Sequence, residues 1–389
     1  MKECFGTLMH DGRFTVQPFY TDAGLELAKT LPYVNFLDDE QLVVDDAHPT
    51  VSTVTLPSAD FTFLHESAVI EYNGTLFAAW YSCRALELVG YTPIHGARSF
   101  DGGKTWTPKE IWAHDPTETE LYCPPAFGIC DGKLYMLVNT MRGFDNVVAL
   151  ELYCWNEQSE TFAFVWRKRM CFKMNTNVIA LPNGKLMIPG RSGPMGQNPL
   201  NPAVLISDSG KIDADWRIVT VDPVERIAPE TTVMVEGDTL YMFSRSNKPE
   251  VSFVYLSTDY GETWSGPATH DLPMRAVKMY GGTLSDGRHY LVGNVDIWNR
   301  SKIALYLSEP HSCRFTKRYL ICDTVQNTVP NTESCHYPCV CESGGKLYIT
   351  LSMGYAKSSE IVPITEKNTN DYAWFVRGLH LFTLDIDQL

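Results

Sequence analysis

Mostly polar residues recur at matching places along the 389-residue chain. One set precedes or opens short apolar runs: His65 and Glu66, Tyr122 and Cys123, Asn175 and Asn177, Glu230, Met279 and Tyr280, and His336 and Tyr337. A second set follows the next apolar run: Arg84, Asn139 and Arg142, Arg191, Arg245, Asn294 and Arg300. A hydrophobic core does not account for so many polar and basic residues at recurrent positions. They are expected to line a polar pocket, and the net negative charge of the chain does not forbid a small anionic substrate there, because a pocket can be locally positive. A different chemistry is conceivable at Cys335-His336-Tyr337-Pro338-Cys339-Val340-Cys341, because thiolates and imidazole are the usual zinc ligands. The spacing is not that of a zinc finger, and on a strand His336 would face away from the three cysteines. Buried free thiols acting as small apolar residues are the better reading, so no metal is expected.

The elements that must position these residues form an internal repeat. Six segments share a short apolar strand, a turn ending in glycine and a second apolar strand: 67–80, 125–138, 177–190, 231–244, 280–293 and 338–351. Their turn glycines are Gly74, Gly132, Gly184, Gly237, Gly287 and Gly345, about 53 residues apart. Asn-Gly and Asp-Gly between apolar runs are strong hairpin signals. A second hairpin signal follows each of the first five glycines. It is well formed at Ser99–Trp106 and Ser257–Trp264. It is degenerate at Trp155-Asn156-Glu157, Ser207-Asp208-Ser209-Gly210 and Ser308-Glu309-Pro310. Four antiparallel strands per unit predict an all-β, six-bladed β-propeller in a single domain over 1–389. The blades are expected at approximately 61–115, 116–167, 168–220, 221–270, 271–325 and 326–389. The last unit has strands at 338–351 and 374–385, so its fourth is expected from the N-terminal 1–60 segment, near Val51–Pro57. That would close the ring.

Composition limits the function classes. Acidic residues outnumber basic ones 46 to 32, and the net charge of −14 argues against a nucleic-acid partner. No run of eighteen apolar residues exists to span a membrane. The residues after Met1 do not form a signal-peptide core, and the 11 cysteines lack a framework spacing, so a cytoplasmic location is expected. No P-loop, dinucleotide fingerprint or HExxH is present, and no cofactor is expected.

The S-x-D-x-G-x-T-W pattern, in Ser99–Trp106 and Ser257–Trp264, is the Asp box. Asp101 and Asp259 look like a carboxylate pair, but a turn-holding role is expected of them. Two Asp boxes in register with six hairpins resemble the sialidase (neuraminidase) superfamily, over roughly residues 60 to 389. In that family a glutamate enters one blade and an arginine leaves the same hairpin, as Glu230 and Arg245 do in APETTVMVEGDTLYMFSRS. A later arginine follows an Asn after the next hairpin, as in Asn294 to Arg300. The nucleophilic tyrosine starts the inner strand of the last blade, where Tyr337 stands. The resemblance implies a retaining exo-glycosidase, with Tyr337 as nucleophile, Glu230 as its base, and Arg245 and Arg300 on the carboxylate of a terminal acidic sugar.

The chain departs from this pattern in its first blade. His65, in Leu64-His65-Glu66-Ser67, stands where the family has the first carboxylate-binding arginine, and Arg84 is a candidate to compensate. The loop Arg84–Gly90 has no aspartate to serve as general acid, so Glu87 is the nearest substitute, with His95 and Glu66 as rivals. His336 and Glu66 complete the candidate substrate contacts. Two polar insertions, 194–199 and 353–372, are expected to shape specificity at the rim. Two other readings stay open: a propeller lyase or glycosidase acting on uronic-acid glycans, and a non-catalytic carbohydrate-binding propeller.

Overall fold

The computed structural model describes residues 7–10, 13–16, 30–222, 229–245, 252–275, 277–295, 300–356 and 376–389. The fold is all-β and is built from antiparallel four-strand ladders that follow one another along the chain. The first ladder runs Phe63–Tyr72, Thr75–Cys83, Ile94–Ser99 and Glu110–Ala113. The second runs Leu121–Cys130, Lys133–Met141, Val147–Asn156 and Thr161–Lys168. In the third the inner strand is split. Phe172–Met174 and Ile179–Ala180 both pair with Leu186–Ser192, and Asn201–Ser207 and Arg217–Thr220 follow. The fourth runs Thr231–Glu236, Thr239–Ser244, Phe253–Ser257 and Ser265–His270. The fifth runs Tyr280–Thr283, His289–Asn294, Lys302–Ser308 and Phe315–Asp323.

The sixth ladder takes strands from both ends of the chain. Thr332–Ser343, Lys346–Tyr355 and Arg377–Asp385 are followed by Thr50–Thr55, which pairs antiparallel with the third strand. The expected N-terminal closing strand is therefore present, slightly displaced from 51–57. Of the C-terminal strand expected from 374, the first two residues lie outside the described set. The N-terminal segment does more than expected. Tyr33–Val34 adds a parallel strand to the fourth ladder, and Val43–Asp46 adds one to the fifth.

Side-chain patterning follows position in the ladder. Second strands such as Thr75–Cys83 are covered on both faces and read almost continuously apolar. The outer strand Thr161–Lys168 is largely exposed and mixes in polar residues. The core lies between ladders, where Trp80, Phe127, Phe172, Phe243 and Phe315 are fully buried. Burying each such ring contributes roughly 1.5–3 kcal/mol. The six expected glycines all sit between first and second strands. Gly74, for example, has φ +80°, which an L side chain rarely adopts.

Both Asp boxes are turns between third and fourth strands. Asp101 accepts hydrogen bonds from the Thr105 amide at 2.9 Å and its hydroxyl at 2.6 Å, and Asp259 does the same with Thr263. Their carboxylates are used up in holding the loop.

Inner strands pack against one another in sequence order. Phe63–Tyr72 touches Leu121–Cys130, which touches Phe172–Met174; the third ladder meets Thr231–Glu236 through its second strand Leu186–Ser192; Thr231–Glu236 touches Tyr280–Thr283, which touches Thr332–Ser343, and that strand touches Phe63–Tyr72 again. The starts of these strands surround one end of a shared axis, where the polar residues collect.

Candidate active site

Two inner strands break register where they enter this end. The ladder shifts between His65 and Ala68, and again between His336 and Cys339. Within these irregularities Glu66 has φ +52° and Tyr337 φ +50°. Left-handed backbone at a non-glycine residue costs about 1–3 kcal/mol and persists where the surroundings enforce it. A bulge also re-aims a side chain, and both residues line the same cavity.

That cavity holds about 230 Å³. Its walls come from the strand starts (His65, Glu66, Lys173, Glu230, Tyr337) and from the far ends of the hairpins and the loops beyond them (Glu87, Asp145, Arg191, Asn198, Arg245, Arg300). Arg377, which opens the third strand of the sixth ladder, completes it. A larger cavity of about 540 Å³ lies at the opposite ends of the inner strands. Its carboxylates Glu71 and Glu342 already accept hydrogen bonds from Ser343 and from Ser285. Size does not select the site; the convergence of ionisable groups does.

At the centre, the Tyr337 hydroxyl donates to Glu230 Oε1 at 2.6 Å. Arg245 donates one nitrogen to both members, to Glu230 Oε2 at 2.7 Å and to the Tyr337 oxygen at 3.0 Å. Burial alone would raise the Glu230 pKa, but Arg245 and Arg191, with the Tyr337 hydrogen bond, bring it to about 2. Burial and the Glu230 anion push Tyr337 far above the ordinary phenol value. The resting proton therefore sits on Tyr337, facing an ionised acceptor. The negative charge of Glu230 raises the pKa of Arg245.

Other charges pair around this core. Glu66 accepts from Lys278 Nζ at 2.8 Å, and both side chains are buried. Lys278 lies over the Tyr337 ring, 5.3 Å from its centroid. Asp145 is clasped by Lys173 and by Arg191, the latter at 3.2 Å. Burial opposes ionisation of Asp145, but those two cations hold it well below the usual carboxylate range. Glu87 accepts from the Tyr81 hydroxyl at 2.9 Å, and desolvation raises its pKa despite the Arg377 cation. Among the described residues no three His, Cys, Asp or Glu side chains are grouped to hold a metal ion.

The profile of the BNR repeat-like domain matches residues 74–349. The chain belongs to the BNR repeat-like family. No curated protein matches it. Solved structures that superpose on it include sialidases and trans-sialidases. The NanB sialidase of Streptococcus pneumoniae superposes with a TM-score of 0.63 at 12% identity, over 87% of this chain and 71% of that one. A Trypanosoma rangeli sialidase, solved as a covalent intermediate with 2,3-difluorosialic acid, gives 0.63 at 14% identity, over 88% and 60%. The intramolecular trans-sialidase of Ruminococcus gnavus gives 0.64 at 12% identity, over 87% and 98%. The BNR repeat-like chain thus has the sialidase propeller fold.

Within this BNR repeat-like fold, seven of the nine candidate site residues named from the sequence meet at the cavity: Tyr337, Glu230, Glu87, Arg245, Arg300, His65 and Glu66. Arg84 does not. It is exposed and pairs with Glu118 at 3.5 Å, so it does not compensate at the site. His336 lies one layer back, where its Nδ1 accepts from Arg300 at 2.7 Å. His95, a rival general acid, is held away against Ser82 at 2.9 Å. Several residues expected to line the pocket instead tie ladders together. Asn139 accepts from the Met174 amide at 2.8 Å and donates to the Phe172 carbonyl at 2.7 Å. Asn175 accepts from the Thr231 amide, Asn177 donates to the Val69 carbonyl, and Asn294 donates to the Cys335 carbonyl. Their amides satisfy main-chain groups that would otherwise be buried without partners. Tyr122 and Arg142 turn to Glu151 and Glu120.

Sequence reasoning missed Arg377, Lys173, Asp145 and Lys278. Their signal was burial of charge in neighbouring loops and strands, which no spacing rule reports. The 194–199 insertion does reach the cavity, through Asn198. Residues 357–372 of the second insertion lie outside the described residues.

Proposed function

We propose that the chain is a sialidase-like exo-glycoside hydrolase that releases a terminal acidic sugar with retention. One observation carries this reading: the Tyr337–Glu230 hydrogen bond, bracketed by Arg245. In the first step the Tyr337 oxygen bonds to the anomeric carbon as its proton passes to Glu230. The bond to the leaving oxygen breaks, and Glu87 supplies that oxygen's proton. Arg245 stabilises the charge that moves between the tyrosine and glutamate oxygens. Water then attacks the glycosyl-tyrosine, giving its proton to Glu87 while Glu230 returns the first proton to Tyr337. Two inversions give net retention. Cationic side chains at the cavity, Arg245 and Arg300 among them, favour a sugar that carries a carboxylate.

The same proposal includes the architecture. The six ladders are taken as six blades of one domain over 1–389, with limits near 61–115, 116–167, 168–220, 221–270, 271–325 and 326–389. The cyclic packing of inner strands supports this reading. A cytoplasmic setting is proposed as well, supported by ten free thiols among the described residues.

The test is a panel of fluorogenic glycosides that includes N-acetylneuraminic acid and glucuronic acid. Tyr337→Phe and Glu230→Gln are expected to lower kcat by roughly 10²–10⁴-fold or more. A 2,3-difluoro acidic sugar is expected to leave a covalent adduct on the peptide bearing Tyr337. Unchanged turnover in both variants would remove the mechanism. An unsaturated product absorbing in the ultraviolet would move the assignment to a lyase.

A further inference from the structure

Two residues of the cavity wall stand on left-handed backbone, Glu66 and Tyr337, and one buried cation touches both. Lys278 Nζ donates to Glu66 Oε1 at 2.8 Å and lies over the Tyr337 ring, 5.3 Å from its centroid. Lys278 precedes the inner strand of the fifth ladder, Glu66 lies on that of the first, and Tyr337 lies on that of the sixth. The sixth inner strand packs between the other two. The ion pair therefore spans the element that carries Tyr337.

The second Glu66 oxygen accepts from the Cys123 thiol at 3.5 Å, and Lys278, Glu66 and Cys123 are all buried. A buried ion pair is not required for stability, since apolar side chains of similar volume are often as good or better. Here the pair sits against the reacting phenol, where its charge has another use. Arg300 also reaches the ring, 5.7 Å from its centroid, and Arg245 donates to the phenol oxygen. Both arginines line the cavity, whereas Lys278 is tied to Glu66 whatever occupies it.

Burial and Glu230 raise the Tyr337 phenol most, Glu66 adds to them, and Arg245 and Arg300 oppose them. Pairing Lys278 with Glu66 shields the nucleophile from that carboxylate. Against burial, the Lys278 charge also joins Arg245, Arg191 and the Tyr337 hydrogen bond in keeping Glu230 ionised. A cation over a ring face is attracted to its electron density, more strongly when both are desolvated. That density rises as the Tyr337 O–H bond breaks, its proton passes to Glu230, and the oxygen closes on the anomeric carbon.

We infer that Lys278, anchored on Glu66, is a positioning residue for Tyr337, its ammonium steadying the ring and stabilising the electron density that builds on the phenol in the transition state. The inference rests on the tyrosine-nucleophile reading above and deepens it. Lys278 acts through Tyr337 rather than on the sugar, so its loss slows bond formation and leaves substrate affinity in place.

The test separates the charge of Lys278 from its pairing with Glu66. Lys278→Met keeps the length of the side chain but strands the Glu66 carboxylate, which can cost the fold. The double variant Glu66→Gln/Lys278→Met removes both charges and strands neither, so it carries the test. It is assayed as the full chain with the acidic aryl glycoside that the parent hydrolyses. Its kcat is expected to fall roughly 10- to 30-fold, the factor for losing a desolvated cation–ring contact, with KM within about threefold of the parent. Labelling of Tyr337 by a 2,3-difluoro acidic sugar, which stops after the first step, is expected to slow by the same factor. Parent kcat and parent labelling rate in the double variant overturn the inference, since Lys278 would then only neutralise Glu66. A loss confined to KM overturns it too, because the charge would then serve binding. In both cases a Tyr337→Phe variant that has lost turnover leaves the glycosidase reading standing. A parent chain that releases no acidic sugar, or a Tyr337→Phe variant that keeps its rate, overturns both.

Discussion

Glu87 and Glu230 line one small cavity, yet their surroundings drive their proton affinities apart. Glu230 is ionised above about pH 2, while desolvation raises Glu87 above the usual carboxylate value. Such a divergence suits the base and acid roles proposed for them. In the proposed mechanism Glu87 acts protonated, so kcat/KM should hold on the acid side and fall as pH rises through the raised Glu87 value. Glu87→Gln should remove that alkaline limb and lower activity by roughly 10²–10⁴-fold on poor leaving groups. Aryl glycosides, whose leaving group needs little protonation, should recover most of the loss. An unaltered pH profile in Glu87→Gln would assign the acid elsewhere. Tyr337, Glu230, Arg245 and Arg300 could be read from the sequence because they stand at strand starts and hairpin exits, where hydropathy switches sign. Arg377 could not. It opens a third strand beyond a long polar insertion, and only the pairing of that strand with Phe63 brings it beside His65. Arg84 shows the converse error, since proximity in sequence to the first hairpin did not turn it inward.

Strand starts and hairpin exits have two jobs, and the sequence does not separate them. Some present side chains to the cavity and others bind the next ladder's main chain. Glu66 and Tyr337 do the first because a register break with left-handed backbone turns them inward. Asn139 does the second. Asn139→Ala would leave the Met174 amide and the Phe172 carbonyl buried without this partner. The expected cost is about 2–6 kcal/mol, from roughly 1–3 kcal/mol for each stranded group. Denaturant unfolding measures it, and a loss below about 1 kcal/mol would show that water or main chain replaces the amide. An asparagine at such a position looks the same in sequence whether it holds substrate or backbone. The turns were easier to read. Asp101 and Asp259 bind their own loops within four residues, a local interaction that local sequence encodes.

At the scale of the molecule, the period of the glycine turns gave the ladders, and the missing strand of the last unit gave the N-terminal contribution. The parallel additions at Tyr33–Val34 and Val43–Asp46 were not legible, since two to four residues carry no period. Removing residues 1–57 should expose the edge of Arg377–Asp385, a template for association with other chains. The truncated chain is expected to melt lower and to aggregate. A peptide covering 48–58, added during refolding, should restore part of the soluble fraction. A soluble truncated monomer with the parent Tm would show that the strand is dispensable. The stitch also sets a timetable. Thr50–Thr55 is made first, and its partner strand follows about 330 residues later, a wait of roughly 15–65 s at ordinary synthesis rates. During that interval the nascent chain carries a sticky segment with nothing to hold, and the cavity lacks Tyr337 and Arg377. The cavity therefore cannot be completed before the sixth ladder emerges, and the nascent chain would depend on chaperone cover until then.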